Sequence, residues 1–180
     1  MEIVKILGID PSLRNTGMAL VSYNTETKKY TVSNCQVLVN PAKYKGKDAI
    51  FSMLHMIKEE SEKTCYSTAN QTLVESPSVM YNMAWAQNTI SRLAHISGGT
   101  LGIFGLEKTL LFSPSEWNRT KKKEVTHNLA VATLGDPEKW HYEKMIKSEK
   151  FLEHILDAAS MALWYIKENY VEDKENVLST

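Results

Sequence analysis

The chain has 180 residues, of which 43% are hydrophobic and 23% are charged, and its 21 basic residues balance 21 acidic ones. This length and composition predict a single globular domain, residues 1–180, with enough apolar side chains for a sizeable core. A formal net charge of zero argues against a protein that coats a polyanion through bulk charge. It leaves room for a local basic groove.

Cysteine usage and hydropathy narrow the class further. Cys35 and Cys65 lie in neither a CxxC pattern nor a zinc-finger spacing, which argues against a disulfide scaffold and a structural zinc site. No apolar run approaches the ~18 residues that span a bilayer, and the chain enters a strand pattern directly. We therefore expect a soluble, cytoplasmic protein with free thiols and no membrane partner.

The first forty residues have the pattern of three strands joined by tight turns. Residues 3–9 form an apolar run typical of a buried strand, residues 16–23 predict a second strand, and residues 30–39 predict a third. The polar turn at 24–28 separates the last two.

Helices and short strands are predicted in the middle of the chain. Residues 47–65 predict an amphipathic helix, because Ile50, Met53, Leu54 and Ile57 recur at helical spacing. A short strand at 71–74 leads into Glu75, and a second helix is predicted over 84–106. Its four glycines, at 98, 99, 102 and 105, each cost a helix interior about 1 kcal/mol relative to alanine.

The last third predicts one strand and three helix starts. After a strand at 109–112, Ser113 is expected to cap a helix that has Pro114 at its first position and Glu116 completing a capping box. Helices are also predicted over 121–134, ended by Gly135, and over 151–170. The acidic segment 171–180 is expected to be a flexible tail.

Asp10, at the end of the first strand, is the most informative residue. A carboxylate at the end of a buried strand carries a large desolvation cost unless a cation, a proton or hydrogen-bond donors compensate it. Small and turn-forming residues from Pro11 to Gly17 follow, so a phosphate can approach the backbone there. The alternative is that Asp10 only forms the turn.

Three other residues extend this acidic pattern. Glu75 follows the fourth strand, and the i, i+3 spacing places His154 and Asp157 on one face of the last helix. Carboxylate oxygens with one imidazole suit Mg²⁺ or Mn²⁺, which indicates phosphoryl transfer or phosphodiester hydrolysis. Spacing alone leaves open a surface role for Glu75 and Asp157 and a structural role for His154.

Several segments, in order, connect these distant residues. The segment ILGIDPSLRNTGMALV, at 6–21, resembles the opening of RuvC-type Holliday junction resolvases of the ribonuclease H-like superfamily, with Ser12 where the family usually has glycine. Further segments resemble later family motifs over nearly the whole chain: LVESP at 73–77, SRLAHISGG at 91–99, LLFSPSEW at 110–117 and HILDAASMAL at 154–163.

The resemblance implies an α/β, ribonuclease H-like fold: a five-stranded mixed sheet with its first three strands antiparallel, flanked by helices. It implies a homodimer that resolves four-way (Holliday) DNA junctions by paired hydrolysis, using two Mg²⁺ ions about 3.5–4 Å apart, with Mn²⁺ as a substitute. Asp10 is then the ligand shared by both metals, Glu75 and Asp157 are further ligands, and His154 is a ligand or orients water.

The resemblance also implies where DNA binds. The basic run Arg119, Lys121, Lys122 and Lys123 corresponds to family residues that contact phosphates; the alternative is a solvated helix start, where lysines oppose the helix dipole. Tyr81 and Asn82 lie in the segment expected to face the junction. Trp85 beside them is expected either to wedge against bases or to pack in the core.

The second helix is the expected dimer interface, through Ile90, Leu93 and Ala94, with a core role as the alternative.

Three other functions compete with a dedicated resolvase. A phage-type debranching nuclease that cuts flaps and forks needs the same active site. An actin-like ATPase needs a longer, two-lobed chain than 180 residues allow. A catalytically inactive module that binds branched DNA is the third alternative, and the presence of all three carboxylates argues against it.

Overall fold

The structure is a computed structural model that describes residues 2–77, 87–118, 122–140 and 149–171. In these ranges, a central sheet carries helices on both faces. The strands are β1 (Ile3–Asp10), β2 (Asn15–Asn24), β3 (Lys29–Val39), β4 (Gln71–Glu75) and β5 (Thr109–Phe112). The helices are α1 (Gly46–Ser61), α2 (Thr64–Ser67), α3 (Gln87–Phe104), α4 (Pro114–Asn118), α5 (Lys123–Leu134) and α6 (Glu149–Tyr170), with a 3₁₀ turn at Pro137–Lys139.

The five strands lie in the order β3-β2-β1-β4-β5. The first three are antiparallel neighbours, whereas β4 pairs in parallel with both β1 and β5. The tight β2–β3 turn forms because the side-chain oxygen of Asn24 accepts the backbone N–H groups of Glu26 and Thr27. The predicted fold class and the antiparallel start of the sheet are therefore confirmed.

The two faces of the sheet follow from side-chain alternation along β1. Val4 and Ile6 belong to the core under α6, together with apolar residues of α4 and α5. Leu7 and Ile9, which point the other way, belong to the core under α1 and α3. Asp10 shares the parity of Ile6 and therefore lies on the α6 face.

Two glycines bring α6 very close to the sheet. A Cβ added at Gly8 would lie 1.9 Å from the carbonyl oxygen of Ala158, and one added at Gly17 would lie 2.1 Å from that of His154. Such distances are far inside van der Waals contact, so any larger residue would push the helix outward. The two glycines of the opening motif therefore set the position of α6.

The first helix is shorter than the sequence predicts. The expected helix at 47–65 ends at Ser61, and residues Thr64–Ser67 form a separate turn of helix. The break allows Tyr66, which is 1% exposed, to enter the core under α1. Burial of this large aromatic side chain outweighs the local preference for a continuous helix.

The remaining elements agree with the predictions where the structure describes them. The backbone N–H of Ser113 donates to the Glu116 carboxylate over 2.6 Å, and Pro114 is the first residue of α4. Gly135, with φ 85°, follows α5. The predicted start of the second helix lies in 78–86, and the predicted tail lies almost entirely in 172–180, both outside the described residues. None of the described helices is long and apolar enough to cross a membrane.

Candidate active site

Asp10 and Glu75 end two neighbouring parallel strands. In the β1–β4 register Ile9 lies opposite Val74, so the residue that follows each of them lies at the same edge of the sheet. Leu73, two residues before Glu75, belongs to the core under α6. Both carboxylates are therefore on the face that α6 covers.

Helix α6 brings His154 and Asp157 to the same edge. His154 Nδ1 is 2.7 Å from Asp10 Oδ2, a hydrogen bond between residues 144 positions apart in the chain. Asp157 lies one helical turn further on and is 7% exposed. The contact of the His154 backbone with Gly17 fixes the height of this turn above the sheet.

Asp157 is held on both oxygens by side chains of α5. His127 Nε2 is 2.7 Å from Oδ1, and Lys123 Nζ is 2.5 Å from Oδ2. The four-residue spacing of Lys123 and His127 places them on one face of α5. Asp157 thus does not belong to the solvated outer face of its helix.

Glu75 is held by two other elements. Trp117 Nε1, from α4, donates to Glu75 Oε2 over 3.0 Å, and Ser97 Oγ, from α3, donates to the Glu75 carbonyl oxygen over 2.9 Å. A hydrogen bond from a buried indole leaves a carboxylate little freedom to turn. The side chain and the backbone of Glu75 are therefore positioned from opposite faces of the sheet.

The electrostatics of the cluster disfavour the simultaneous ionisation of its carboxyl groups. Burial, followed by the nearby charges of Asp10 and Asp157, raises the pKa of Glu75 to about 7. Burial also raises the pKa of Asp10, against the effect of its hydrogen bond with His154. That hydrogen bond in turn raises the pKa of His154. Like charges that are buried together take up protons or cations.

The donor set suits a divalent ion, although its present arrangement is not a ligand shell. Within the described ranges, no group of three or more His, Cys, Asp or Glu side chains is placed so that it could hold a metal ion. Asp10, Glu75 and Asp157 each turn at least one oxygen to a protein donor. Three carboxylates, of which Asp157 is buried and Asp10 and Glu75 are partly buried, and one imidazole nevertheless fit the chemistry of Mg²⁺ or Mn²⁺.

The loop after Asp10 satisfies its own backbone. Ser12 Oγ accepts the N–H groups of Arg14 and Asn15 at 3.2 and 3.4 Å, and the Ser12 N–H donates to Thr16 Oγ1. The backbone N–H groups that were expected to be accessible to a phosphate thus donate to the Ser12 hydroxyl instead. A phosphate that bound here would have to replace these long, weak bonds.

The predicted DNA contacts fall into two groups. Lys122 is exposed at the N-cap of α5, consistent with a phosphate contact, whereas Lys123 binds Asp157. The other predicted contacts lie outside the described residues: Tyr81, Asn82, Trp85, Arg119 and Lys121.

Sequence reasoning missed His127 and Trp117 as parts of the site. His127 is 30 residues from Asp157 and Trp117 is 42 residues from Glu75, so no local spacing links them. A usable signal was present for each: a histidine four residues after a lysine on a short helix, and a tryptophan just after a capping box.

No protein-family model matches the chain, and no curated protein sequence matches it. Several solved structures do match the chain. The Thermus thermophilus RuvC complex with a Holliday junction substrate has a TM-score of 0.65 and 15% sequence identity, over 93% of this chain and 97% of that one. The fowlpox virus resolvase complex with Holliday junction DNA has a TM-score of 0.56 and 13% identity, over 93% of this chain and 100% of that one.

The structural similarity covers both chains almost end to end. Thermus thermophilus RuvC without DNA gives a TM-score of 0.64 at 15% identity, over 93% of this chain and 96% of that one. At these identities the likeness establishes the fold, which is ribonuclease H-like. The resemblance to RuvC-type resolvases stated from the sequence is thereby confirmed at the level of structure.

Proposed function

We propose that this chain is a divalent-metal-dependent endonuclease that resolves four-way DNA junctions. One observation carries the proposal: Asp10, Glu75, His154 and Asp157, from three separate segments, meet at one edge of a ribonuclease H-like sheet. The similarity to two proteins whose structures contain Holliday junction DNA supports the choice of substrate.

In this proposal each residue has a defined task. Asp10 would be a ligand of both metal ions, Glu75 and Asp157 would be further ligands, and His154 would orient Asp10 or the attacking water. Divalent ions at such a site activate water and stabilise the leaving oxygen of a phosphodiester. Mg²⁺ is the proposed metal, with Mn²⁺ as a substitute.

The test is cleavage of a mobile four-way junction by the purified Asp10→Asn protein. We expect Mg²⁺-dependent cleavage to fall by at least about a thousandfold, because charge stabilisation supplies much of the acceleration of phosphodiester hydrolysis, while junction binding stays measurable. Asp48→Asn is the matched control, since Asp48 is an exposed carboxylate at the start of α1. Substantial cleavage by the Asp10→Asn protein would overturn the proposal.

Substrate choice separates a resolvase from a debranching nuclease. A resolvase cuts the four-way junction at paired, symmetric positions and leaves a flap and a linear duplex largely intact. Comparable cleavage of all three substrates would replace the proposed selectivity with that of a general branched-DNA nuclease.

Paired nicks require two active sites related by a two-fold axis, so we also propose that residues 1–180 form one nuclease unit that dimerises. Helix α3 is the proposed interface. Ala94 is exposed and Ile90 and Leu93 are partly exposed, while a Cβ added at Gly98 or Gly102 would meet no atom within 4 Å. Light scattering that finds only a monomer at micromolar concentrations would contradict the dimer.

A further inference from the structure

Lys123 is a cation placed where its own helix does not favour one. It is the first residue of α5, which begins without a side-chain cap. A positive charge at a helix N-terminus opposes the helix dipole. What holds the ammonium group is instead Asp157, whose Oδ2 lies 2.5 Å away.

The charge of Lys123 acts on the whole acidic cluster. It lowers the pKa of Asp10 and of Glu75, opposing the burial that raises them. Burial lowers the pKa of Lys123 itself, but the hydrogen bond with Asp157 and the nearby acidic charges outweigh it, so this pKa is raised. Lys123 thus offsets the mutual repulsion of the three carboxylates. A bound divalent ion would do the same with twice the charge.

The two partners of Asp157 differ in how easily they can leave. The Lys123 side chain is 54% exposed and sits on a flexible stem, whereas the His127 side chain is 14% exposed. The ammonium group of Lys123 regains full hydration when it leaves, and a divalent ion would take over its pairing with the buried Asp157 carboxylate, which would otherwise be left uncompensated. His127, bound to the other oxygen, keeps the carboxylate in place when the lysine leaves.

We propose that Lys123 is a displaceable counter-ion, which occupies Asp157 in the metal-free protein and leaves when a divalent ion binds to the carboxylates. The inference rests on the proposed function, because it requires that these carboxylates bind metal. It assigns Lys123 a role other than a permanent phosphate contact. After release, the same ammonium group is free to meet a DNA phosphate beside the site.

Metal binding to the free protein tests this role without any cleavage assay. Titration calorimetry with Mn²⁺ at about pH 8.5, above the raised pKa of Glu75, compares the wild type with Lys123→Met and with the control Lys122→Met. We expect the Lys123→Met protein to bind Mn²⁺ about three- to tenfold more tightly, since the ion no longer competes with an ammonium group. The control should stay within about twofold of the wild type, because Lys122 is exposed and pairs with no acid in the described part of the chain.

A second variant protects the test against a simple folding defect. Lys123→Arg keeps the charge and adds a bidentate donor that grips a carboxylate more firmly, so it should weaken Mn²⁺ binding. A displaceable counter-ion therefore predicts opposite shifts for methionine and arginine. Mn²⁺ binding by the Lys123→Met protein that is no tighter than that of the wild type overturns the inference.

The same titration distinguishes this failure from failure of the proposed function. If the wild type binds Mn²⁺ and the Asp10→Asn protein does not, the metal site stands and only the role of Lys123 is at issue. If the wild type binds no Mn²⁺ at millimolar concentrations, the proposed function fails and the inference fails with it.

Discussion

The two faces of the sheet bury carboxylates in different ways. Under α1, the Glu60 side chain accepts a hydrogen bond from Gln36 over 2.6 Å and lies 2.5 Å from Lys63 Nζ. A single acid there has an amide donor and a cation of its own, and Lys63 comes from the same helical region. This face uses an acid to hold α1 against β3.

Under α6, three carboxylates face one another instead. Asp10 and Glu75 end adjacent strands, and Asp157 approaches from α6. The ammonium group of Lys123 pairs with Asp157 and acts on the other two carboxylates only through its charge. The arrangement is costly without a further cation, because the like charges are buried together. The contrast is between one acid whose charge is matched by its own cation and three neighbouring carboxylates that share a single lysine.

The two faces also differ in how their helices are seated. On the α6 face, Gly8 and Gly17 admit backbone atoms of Ala158 and His154, so the helix is located by rigid contacts beside the functional residues. On the opposite face, only Gly99 is filled by a neighbour, the flexible side chain of Leu54, while Gly98 and Gly102 face open space. Among the glycines, close contact with a helix backbone is thus found on the face that carries the candidate site.

The largest expected effect is that of Gly8→Ala. The added Cβ would lie 1.9 Å from the Ala158 carbonyl oxygen, a backbone atom that cannot move without shifting α6. We expect a loss of about 3 kcal/mol or more in the free energy of unfolding, as for severe overpacking, measured by urea denaturation. A stability within about 0.5 kcal/mol of the wild type would show that α6 is not seated by this contact.

Glu75→Gln tests the electrostatic difference between the two faces of the sheet. Because the pKa of Glu75 in the folded protein, about 7, exceeds its ordinary value of 4.5, the folded state binds the proton more tightly than the unfolded chain does. Stability therefore falls as pH rises from about 4.5 to about 7, and the penalty is complete above that range. In EDTA near pH 8, the variant should be more stable than the wild type by roughly 1–3 kcal/mol, and near pH 4 the two should agree.

Glu60→Gln is the matched control on the other face. The Glu60 carboxylate is paired with Lys63, whose side chain is 37% exposed, so its loss should destabilise the protein near pH 8 by up to about 1 kcal/mol. The two substitutions remove the same charge with opposite signs of effect. If Glu75→Gln also destabilised the metal-free protein, the acidic cluster would be a structural network like that of Glu60.

The sequence predicted most of the fold because its signals are local. Alternating or continuous apolar runs bounded by polar turns marked all five strands, and the i, i+3, i+4 pattern marked α6 to within two residues of its start. The wrong boundary was that of α1, where burial of Tyr66 breaks a helix that local propensity would continue. Non-local packing decided that case.

The site was predicted only as far as family motifs reach. Asp10, Glu75, His154 and Asp157 follow from the resemblance, and the structure brings them together, although their catalytic roles stay a prediction. His127 and Trp117 were missed, because their local patterns do not show how α4 and α5 pack against the sheet, and their contacts depend on that packing. The ion pair of Lys123 with Asp157 was also not predicted. A basic run has the same sequence pattern whether its lysines bind a phosphate or an internal carboxylate.

Gly98→Ala has the smallest expected effect, and it tests the difference between glycines that contact a neighbouring helix and glycines that face open space. No atom lies within 4 Å of the added Cβ, and alanine favours a helix interior over glycine by up to about 1 kcal/mol. At concentrations where the protein is monomeric, urea denaturation should therefore show a small gain in stability, opposite in sign to Gly8→Ala. At higher concentrations, sedimentation should show a smaller dimer fraction than the wild type, because close helix approach through α3 requires the bare backbone. A dimer fraction equal to that of the wild type would show that this face of α3 is not part of the interface. A loss of monomer stability would show that the side of α3 around Gly98 is packed against other residues.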